Sequence, residues 1–227
     1  MTNKSIVLLS GGLDSVVSLA YLRDDCNIQL ALTFNYGQKA FTAEAEAAKK
    51  IADFYKIEHK IINLDWLAEI TQTALVSDEK LPSLDVAQLD NMELAEETAK
   101  KVWVPNRNGL FVNIAACYAD AFGYNHIIIG ANREEAATFK DNSIHFIEAA
   151  NFSLGNSVNQ DVDLIAPLMD FDKNEIVKIG IEKEIPFDLI RSCYTADQKN
   201  CPGCESCNRL KRALAANNRQ DLIDLLF

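Results

Sequence analysis

The sequence predicts an α/β fold, a parallel sheet with helices on both faces, carrying a metal-binding segment at its C-terminal end. Three observations point there. Short apolar runs alternate with helical patterns from the N-terminus onward, and strands linked through helices in one sheet run parallel. The first run, Ile6-Val7-Leu8-Leu9, passes directly into Ser10-Gly11-Gly12-Leu13-Asp14-Ser15 and then into an apolar helical pattern. Four of the six cysteines crowd into residues 193–207.

Each element follows from its local pattern. After the glycines, residues 14–23 read as a helix turning Leu13, Val16, Val17, Ala20 and Tyr21 inward, and residues 28–34 as a second buried strand. Asn35-Tyr36-Gly37-Gln38 closes that strand. An alanine-rich helix then covers 40–55, a third strand 58–64, and a helix 65–75 with Asp65 as its cap. Residues 77–101 break the rhythm. Asp78, Glu79, Asp85, Asp90, Glu93, Glu96 and Glu97 make an acidic stretch that we read as a loop or lid, with the solvated face of a helix as the alternative. Pro105 biases Val104 to an extended backbone, Asn106 or Asn108 can cap a helix over 110–122, and residues 126–130 form the fourth strand. A helix over 144–154, a strand at 162–166 and a helix over 173–180, capped by Asp172 and ended by Gly180, complete the alternation.

With 227 residues, 48% hydrophobic and 24% charged, the chain suffices for one substantial core. One unit over 1–227 is expected, with 186–227 packed against the rest as the metal-bearing part. The N-terminus shows no basic segment followed by a long apolar run, and no stretch approaches the roughly twenty apolar residues needed to cross a bilayer, so a cytoplasmic protein without membrane contact is expected. A formal charge of −11 argues against adhesion to nucleic acid or to an anionic membrane and favours a small-molecule substrate.

The loop between the first strand and helix carries the chemistry. Gly11 and Gly12 let the backbone turn sharply and bring its N–H groups to a ligand, Ser10 and Ser15 add hydroxyls, and the helix start adds unpaired donors and a positive dipole end. A phosphate or pyrophosphate is the matching guest. Asp14 would repel it, so this carboxylate either holds Mg²⁺ against the phosphates or caps the helix. The bland alternative is a glycine turn with a helix cap. At the carboxyl edge of the sheet, where such folds bind ligands, Tyr36 is a candidate to stack on a base or else fills the core. Arg107, at a helix head where a cation is disfavoured, calls for an anionic partner, whether a protein carboxylate, ATP or a carboxylate substrate. Gly130 ends the fourth strand, and Asn132, Arg133, Glu134, Glu135, Asp141 and Asn142 follow it, where they meet either substrate or solvent.

Cys193, Cys201, Cys204 and Cys207 stand as C-x7-C-x2-C-x2-C. Such spacers let four thiolates converge on a tetrahedral Zn²⁺ in a closed, structural site, and an iron–sulfur cluster is the competing occupant. Cys26 and Cys117 read as incidental thiols without partners, and the three histidines carry no assigned chemistry.

The Ser-Gly-Gly-Leu-Asp-Ser stretch resembles the loop of the PP-loop (N-type) ATP pyrophosphatases. With Tyr36-Gly37-Gln38, Val104-Pro105-Asn106-Arg107-Asn108, Ala166-Pro167-Leu168, Lys173 with Glu175-Ile176-Val177 and Gly180, and Ser192-Cys193-Tyr194 before Cys-Pro-Gly-Cys, the order resembles the 7-cyano-7-deazaguanine synthase (preQ0 synthase) family of queuosine biosynthesis. The resemblance implies a Rossmann-like, adenine nucleotide alpha hydrolase-like fold and an ATP-dependent ligase forming AMP and pyrophosphate. Its substrate would be 7-carboxy-7-deazaguanine, adenylated, converted by ammonia to the amide, and activated again to the nitrile. It also implies ATP on Ser10, Gly11, Gly12, Leu13, Asp14, Ser15, Tyr36 and Gly130, and catalysis by Asp14, Ser15, Lys173 and Arg107. Substrate would fall to Asn108 and the loop after the fourth strand, zinc to the four cysteines, and the chain would form a homodimer.

One region departs. Many members carry an Asp-Tyr-Ser-Gly-Tyr-Pro-Asp-Cys type of segment where this chain has residues 132–142, which leaves open a relative that stops at the amide or conjugates the deazaguanine to an amine of a protein or nucleic acid. A non-catalytic, nucleotide-sensing zinc module is the reading from another class.

Overall fold

The computed structural model describes residues 4–197 and 199–227. Five parallel strands, β1 (Lys4–Leu8), β2 (Asn27–Asn35), β3 (Glu58–Asn63), β4 (His126–Ile128) and β5 (Asp163–Ile165), lie in the order β3-β2-β1-β4-β5. The order reverses at β1, so β2 and β4 leave it on opposite sides and a crevice opens beyond their carboxyl ends.

Alternation along β1 divides the core between the two faces. Val7, with Leu9 just beyond the strand, joins α1 (Leu13–Leu22), α2 (Phe41–Tyr55), α8 (Lys173–Glu182), α9 (Glu205–Ala216) and α10 (Gln220–Leu226). Ile6 and Leu8 join α3 (Asp65–Ile70), α5 (Arg107–Phe122) and α7 (Ile144–Leu154) on the other face. A strand covered on both sides has no polar face to show, which is why β1 reads as a continuous apolar run. Short α4 (Met92–Lys101) and α6 (Arg133–Ala136) lie near the carboxyl edge. No described helix is long and apolar enough to cross a membrane.

Several local expectations are corrected. The helix from Asp65 stops at Ile70, and Asp65 sits in its first turn while Leu64 occupies the cap position without a side-chain bond. Gly180 does not end α8, which runs on to Glu182; a Cβ there would stand 3.0 Å from Ile185 Cδ1 and 3.1 Å from Phe187 Cζ, so the glycine makes room for packing. Asn106 precedes α5 in the left-handed conformation and its side chain caps nothing. Asp14 is not a cap either, since Gly12 holds that position. Cys26 has a partner, with its Sγ 3.7 Å from His126 Nδ1.

The acidic stretch is only partly a loop. Its second half is α4, capped by the Asn91 side chain accepting from Leu94 N–H at 3.2 Å, with Ala95, Thr98 and Ala99 inward and Glu93, Glu96 and Glu97 outward. Its first half is fastened to the cysteine segment. Asn208 donates to the Leu84 carbonyl at 2.7 Å, Ser83 to the Gly203 carbonyl at 2.5 Å, and Arg212 meets Asp90 at 2.6 Å.

Candidate active site

The loop after β1 is built for close approach. Gly11 has φ +80°, and a Cβ on it would fall 2.9 Å from Ala47 Cβ, so it packs behind the loop against α2. Gly130, just past β4, would put a Cβ 2.8 Å from Ser15 N; only a bare backbone lets β4 come so near the start of α1. The serines brace the turn from within. Ser15 Oγ donates to the Gly12 carbonyl at 3.0 Å and lies 3.2 Å from Ser10 Oγ, while Gly12 N–H donates to Ser10 Oγ at 3.2 Å.

In front of the loop lies a cavity of about 280 Å³ at the carboxyl edge of the sheet. Lys173, from the first turn of α8, is 7% exposed and reaches both Asp14 Oδ2 and Glu135 Oε1, the latter at 2.8 Å. Burial opposes the ammonium charge, but the two carboxylates outweigh it and hold Lys173 above the ordinary lysine range. Asp14 is pushed up to about 6, because burial and the negative Glu135 together exceed the pull of Lys173. For Glu135 the balance reverses, and Lys173 keeps it below the usual carboxylate range despite burial. The three groups share one proton economy, and Asp14 Oδ1 is buried with no hydrogen-bond partner among the described residues. An orphan buried carboxylate oxygen at the edge of a cavity fits a hard divalent cation such as Mg²⁺.

Arg107, at the head of α5, donates to the Tyr36 hydroxyl at 3.4 Å with its guanidinium 6.0 Å from that ring. Asn108 donates from its backbone to Asp141 Oδ2 at 3.3 Å and from its side chain to the Asp141 carbonyl at 3.0 Å, which fixes the post-β4 loop on α5. Tyr36, Arg107, Asn108, Glu134, Glu135 and Asn142 line the cavity.

Asn132, Arg133, Asp141 and Gly11 do not. Asn132 caps α6 from the core, accepting from Glu135 N–H at 3.0 Å, and Arg133 turns outward onto Asp172 and Glu175 at 3.2 and 3.0 Å. Glu134 is held by Arg209 and Arg212 of α9 at 2.5 and 2.7 Å. Glu44, Gln38, Arg191 and Arg209 also line the cavity, and residue-by-residue reading missed the part each plays there. Glu44 accepts from Gln38 Nε2 at 2.9 Å and is shifted upward by burial. Its signal in the sequence is slight, one of two neighbouring glutamates at the start of an alanine-rich helix, the other being the exposed Glu46.

The four cysteine Sγ atoms lie within 4.8 Å of one another, Cys201 Sγ and Cys207 Sγ at 3.9 Å. A tetrahedron with about 2.3 Å Zn–S bonds has edges of about 3.8 Å, whereas a disulfide would need about 2.05 Å. Backbone N–H groups of Cys201 and Cys204 point at Cys193 Sγ and Cys201 Sγ, both at 3.2 Å, as suits thiolate acceptors. The donor set fits zinc.

Comparison with known proteins agrees in extent with this arrangement. The family described as "Queuosine biosynthesis protein QueC" matches residues 4–218. A Desulforamulus reducens protein named 7-cyano-7-deazaguanine synthase is 49% identical over 210 residues, covering 92% of each chain. One of the same name from Pelotomaculum thermopropionicum is 50% identical over 211 residues, 92% of this chain and 96% of the other. A third, from Methanobrevibacter smithii, is 44% identical over 221 residues and 97% of each. Among solved structures, a 4-thiouridine synthetase in complex with RNA and ATP superposes with a TM-score of 0.50 at 18% identity, over 98% of this chain and 52% of that one, a likeness of fold alone.

Proposed function

The chain belongs to the QueC family of queuosine biosynthesis proteins, and from that premise we propose that it converts 7-carboxy-7-deazaguanine, with ATP and ammonia, through the amide to 7-cyano-7-deazaguanine. The observation that carries the reading is the meeting of the Ser10–Ser15 loop with Lys173, Asp14 and Glu135 in one cavity at the reversal of strand order.

A carboxylate is a poor electrophile, and adenylation gives it a good leaving group. The N-terminus of α1 receives the phosphates, beside a turn whose Ser10 and Gly12 N–H groups are held by the serine hydroxyls, and Lys173 offers a fixed positive charge where negative charge builds on the departing pyrophosphate. Asp14, through its free Oδ1, would hold Mg²⁺, which supplies further neutralisation of the phosphates. Glu135 keeps Lys173 in place, and Arg107 at the far wall supplies the charge that faces an acidic substrate. The acyl adenylate then loses AMP to ammonia, and the amide oxygen is activated by a second ATP before AMP leaves with the nitrile. The four cysteines would hold zinc away from this chemistry as a structural tie. Small molecules are the proposed substrates, without nucleic acid, and a homodimer is the proposed assembly.

Incubation with ATP, Mg²⁺, ammonium and 7-carboxy-7-deazaguanine, followed by mass spectrometry, should show amide and then nitrile with AMP. No AMP above background rejects the reading. Accumulation of amide without nitrile would favour the relative that stops one step earlier, which the departure at residues 132–142 motivates.

A further inference from the structure

Arg191 is a buried cation in the cavity to which the mechanism above gives no part. It stands two residues before Cys193, and its backbone N–H donates to the Gly11 carbonyl at 2.9 Å. Its own carbonyl would lie 3.7 Å from a Cβ on Gly12, so the residue is seated directly on the phosphate loop. It lines the cavity and is 6% exposed. Nη2 donates to the Thr195 carbonyl at 2.8 Å, but Nε and Nη1 are buried and have no hydrogen-bond partner among the described residues.

A guanidinium with two unmet donors, out of water, is costly to keep unless an anion arrives to meet them. No described carboxylate lies within ion-pair distance of it. Glu44 feels its charge only at longer range. Of the other cations lining the cavity, Lys173 is engaged by Asp14 and Glu135 and Arg209 by Glu134 and Glu205, while Arg107, given above to the acidic substrate, rests against the Tyr36 hydroxyl. Nε and Nη1 lie on different edges of the planar guanidinium, so they suit oxygens of two neighbouring phosphates.

Resting on the reading above, we infer that Arg191 binds the pyrophosphate portion of ATP. The phosphates then lie between the N-terminus of α1 and a guanidinium delivered by the cysteine segment. Arg191 is a binding residue that stays with the pyrophosphate as the bond to the α-phosphate breaks. The position also explains why an arginine is bonded by its backbone to the loop it serves, since loop and guanidinium keep their spacing through two successive activations.

Isothermal titration of wild type, Arg191→Gln and Arg191→Lys with ATP, inorganic pyrophosphate, AMP and 7-carboxy-7-deazaguanine tests this, with zinc content and thermal midpoint measured on each protein. In Arg191→Gln, ATP and pyrophosphate affinity should fall by about 10- to 100-fold while AMP and the deazaguanine stay within about twofold, the worth of hydrogen bonds to a charged group. Arg191→Lys keeps the charge and loses the fork, so it should fall between. Unchanged pyrophosphate affinity in either folded, zinc-loaded variant overturns the proposal. So does a loss confined to the deazaguanine, which would make the guanidinium a reader of the substrate carboxylate, and so does equal weakening of all four ligands. If Arg191→Gln does not fold, Arg191→Lys decides by the same criterion. A wild type that binds ATP and pyrophosphate but makes no AMP from the deazaguanine would instead sink the functional reading and leave this inference standing.

Discussion

Asp14 answers two opposed demands. The folded chain holds its proton more tightly than an unfolded one would, with the midpoint moved from 3.8 to about 6. The sign follows: the stabilisation from protonated Asp14 is complete below 3.8 and is lost as pH rises through about 6, so at neutral pH the buried charge works against the fold. Phosphate chemistry needs the carboxylate. AMP formation should therefore fall on acidification as Asp14 takes up its proton, with a midpoint that moves up towards about 6 as Mg²⁺ is lowered, and Asp14→Asn should be slower by about 100-fold or more at neutral pH, without that acid limb, while the protein stays folded. A variant within a few-fold of wild type, or one that keeps the same acid limb, would remove Asp14 from the reaction. At this scale the glycines, serines and Asp14 were legible because backbone freedom and short polar side chains have few other uses after a buried strand. Arg191 was not, since an unmet donor is a property of what surrounds it. The turn of Arg133 onto Asp172 and Glu175 was hidden for a related reason: on a four-residue helix a run of charges does not say which one faces the cavity.

Between elements, the contact of β4 with α1 sets the shape of the loop. Gly130→Ala would place a methyl carbon 2.8 Å from Ser15 N and 2.9 Å from Asp14 C, both backbone atoms that cannot swing aside. The start of α1 must shift. Overpacking of this kind costs about 1–3 kcal/mol, and we expect that loss in denaturant unfolding together with weaker ATP binding. Wild-type stability and affinity would mean that the two elements can move apart at little cost. The strand and helix pattern was readable because apolar periods of two and near four report directly on which face is covered. The α4 helix was harder, its inward face being only Ala95, Thr98 and Ala99, too small to stand out against seven acidic residues. The run of α8 through Gly180 was hidden because glycine both ends helices and admits close neighbours, and only the packing of Ile185 and Phe187 tells which.

Across the molecule, the cysteine cluster and the cavity are one construction. Cys204 stands at the start of α9, and the same helix carries Arg209 and Arg212 onto Glu134. Cys204→Ser should therefore lose zinc, lower the thermal midpoint and slow AMP formation, although the site holds no reacting atom. Structural zinc contributes roughly 10 kcal/mol in small zinc peptides, and the large core here should soften that loss. Full zinc occupancy in the variant, by elemental analysis, would count against four-cysteine ligation. The placement of the last helix has another consequence. Leu222 and Leu226 of α10 share a core with Val7 of β1, more than 200 residues earlier in the chain. A face sealed by helices this distant along the chain needs long loops to close before it is complete, so its final packing should be among the slower steps of refolding from denaturant.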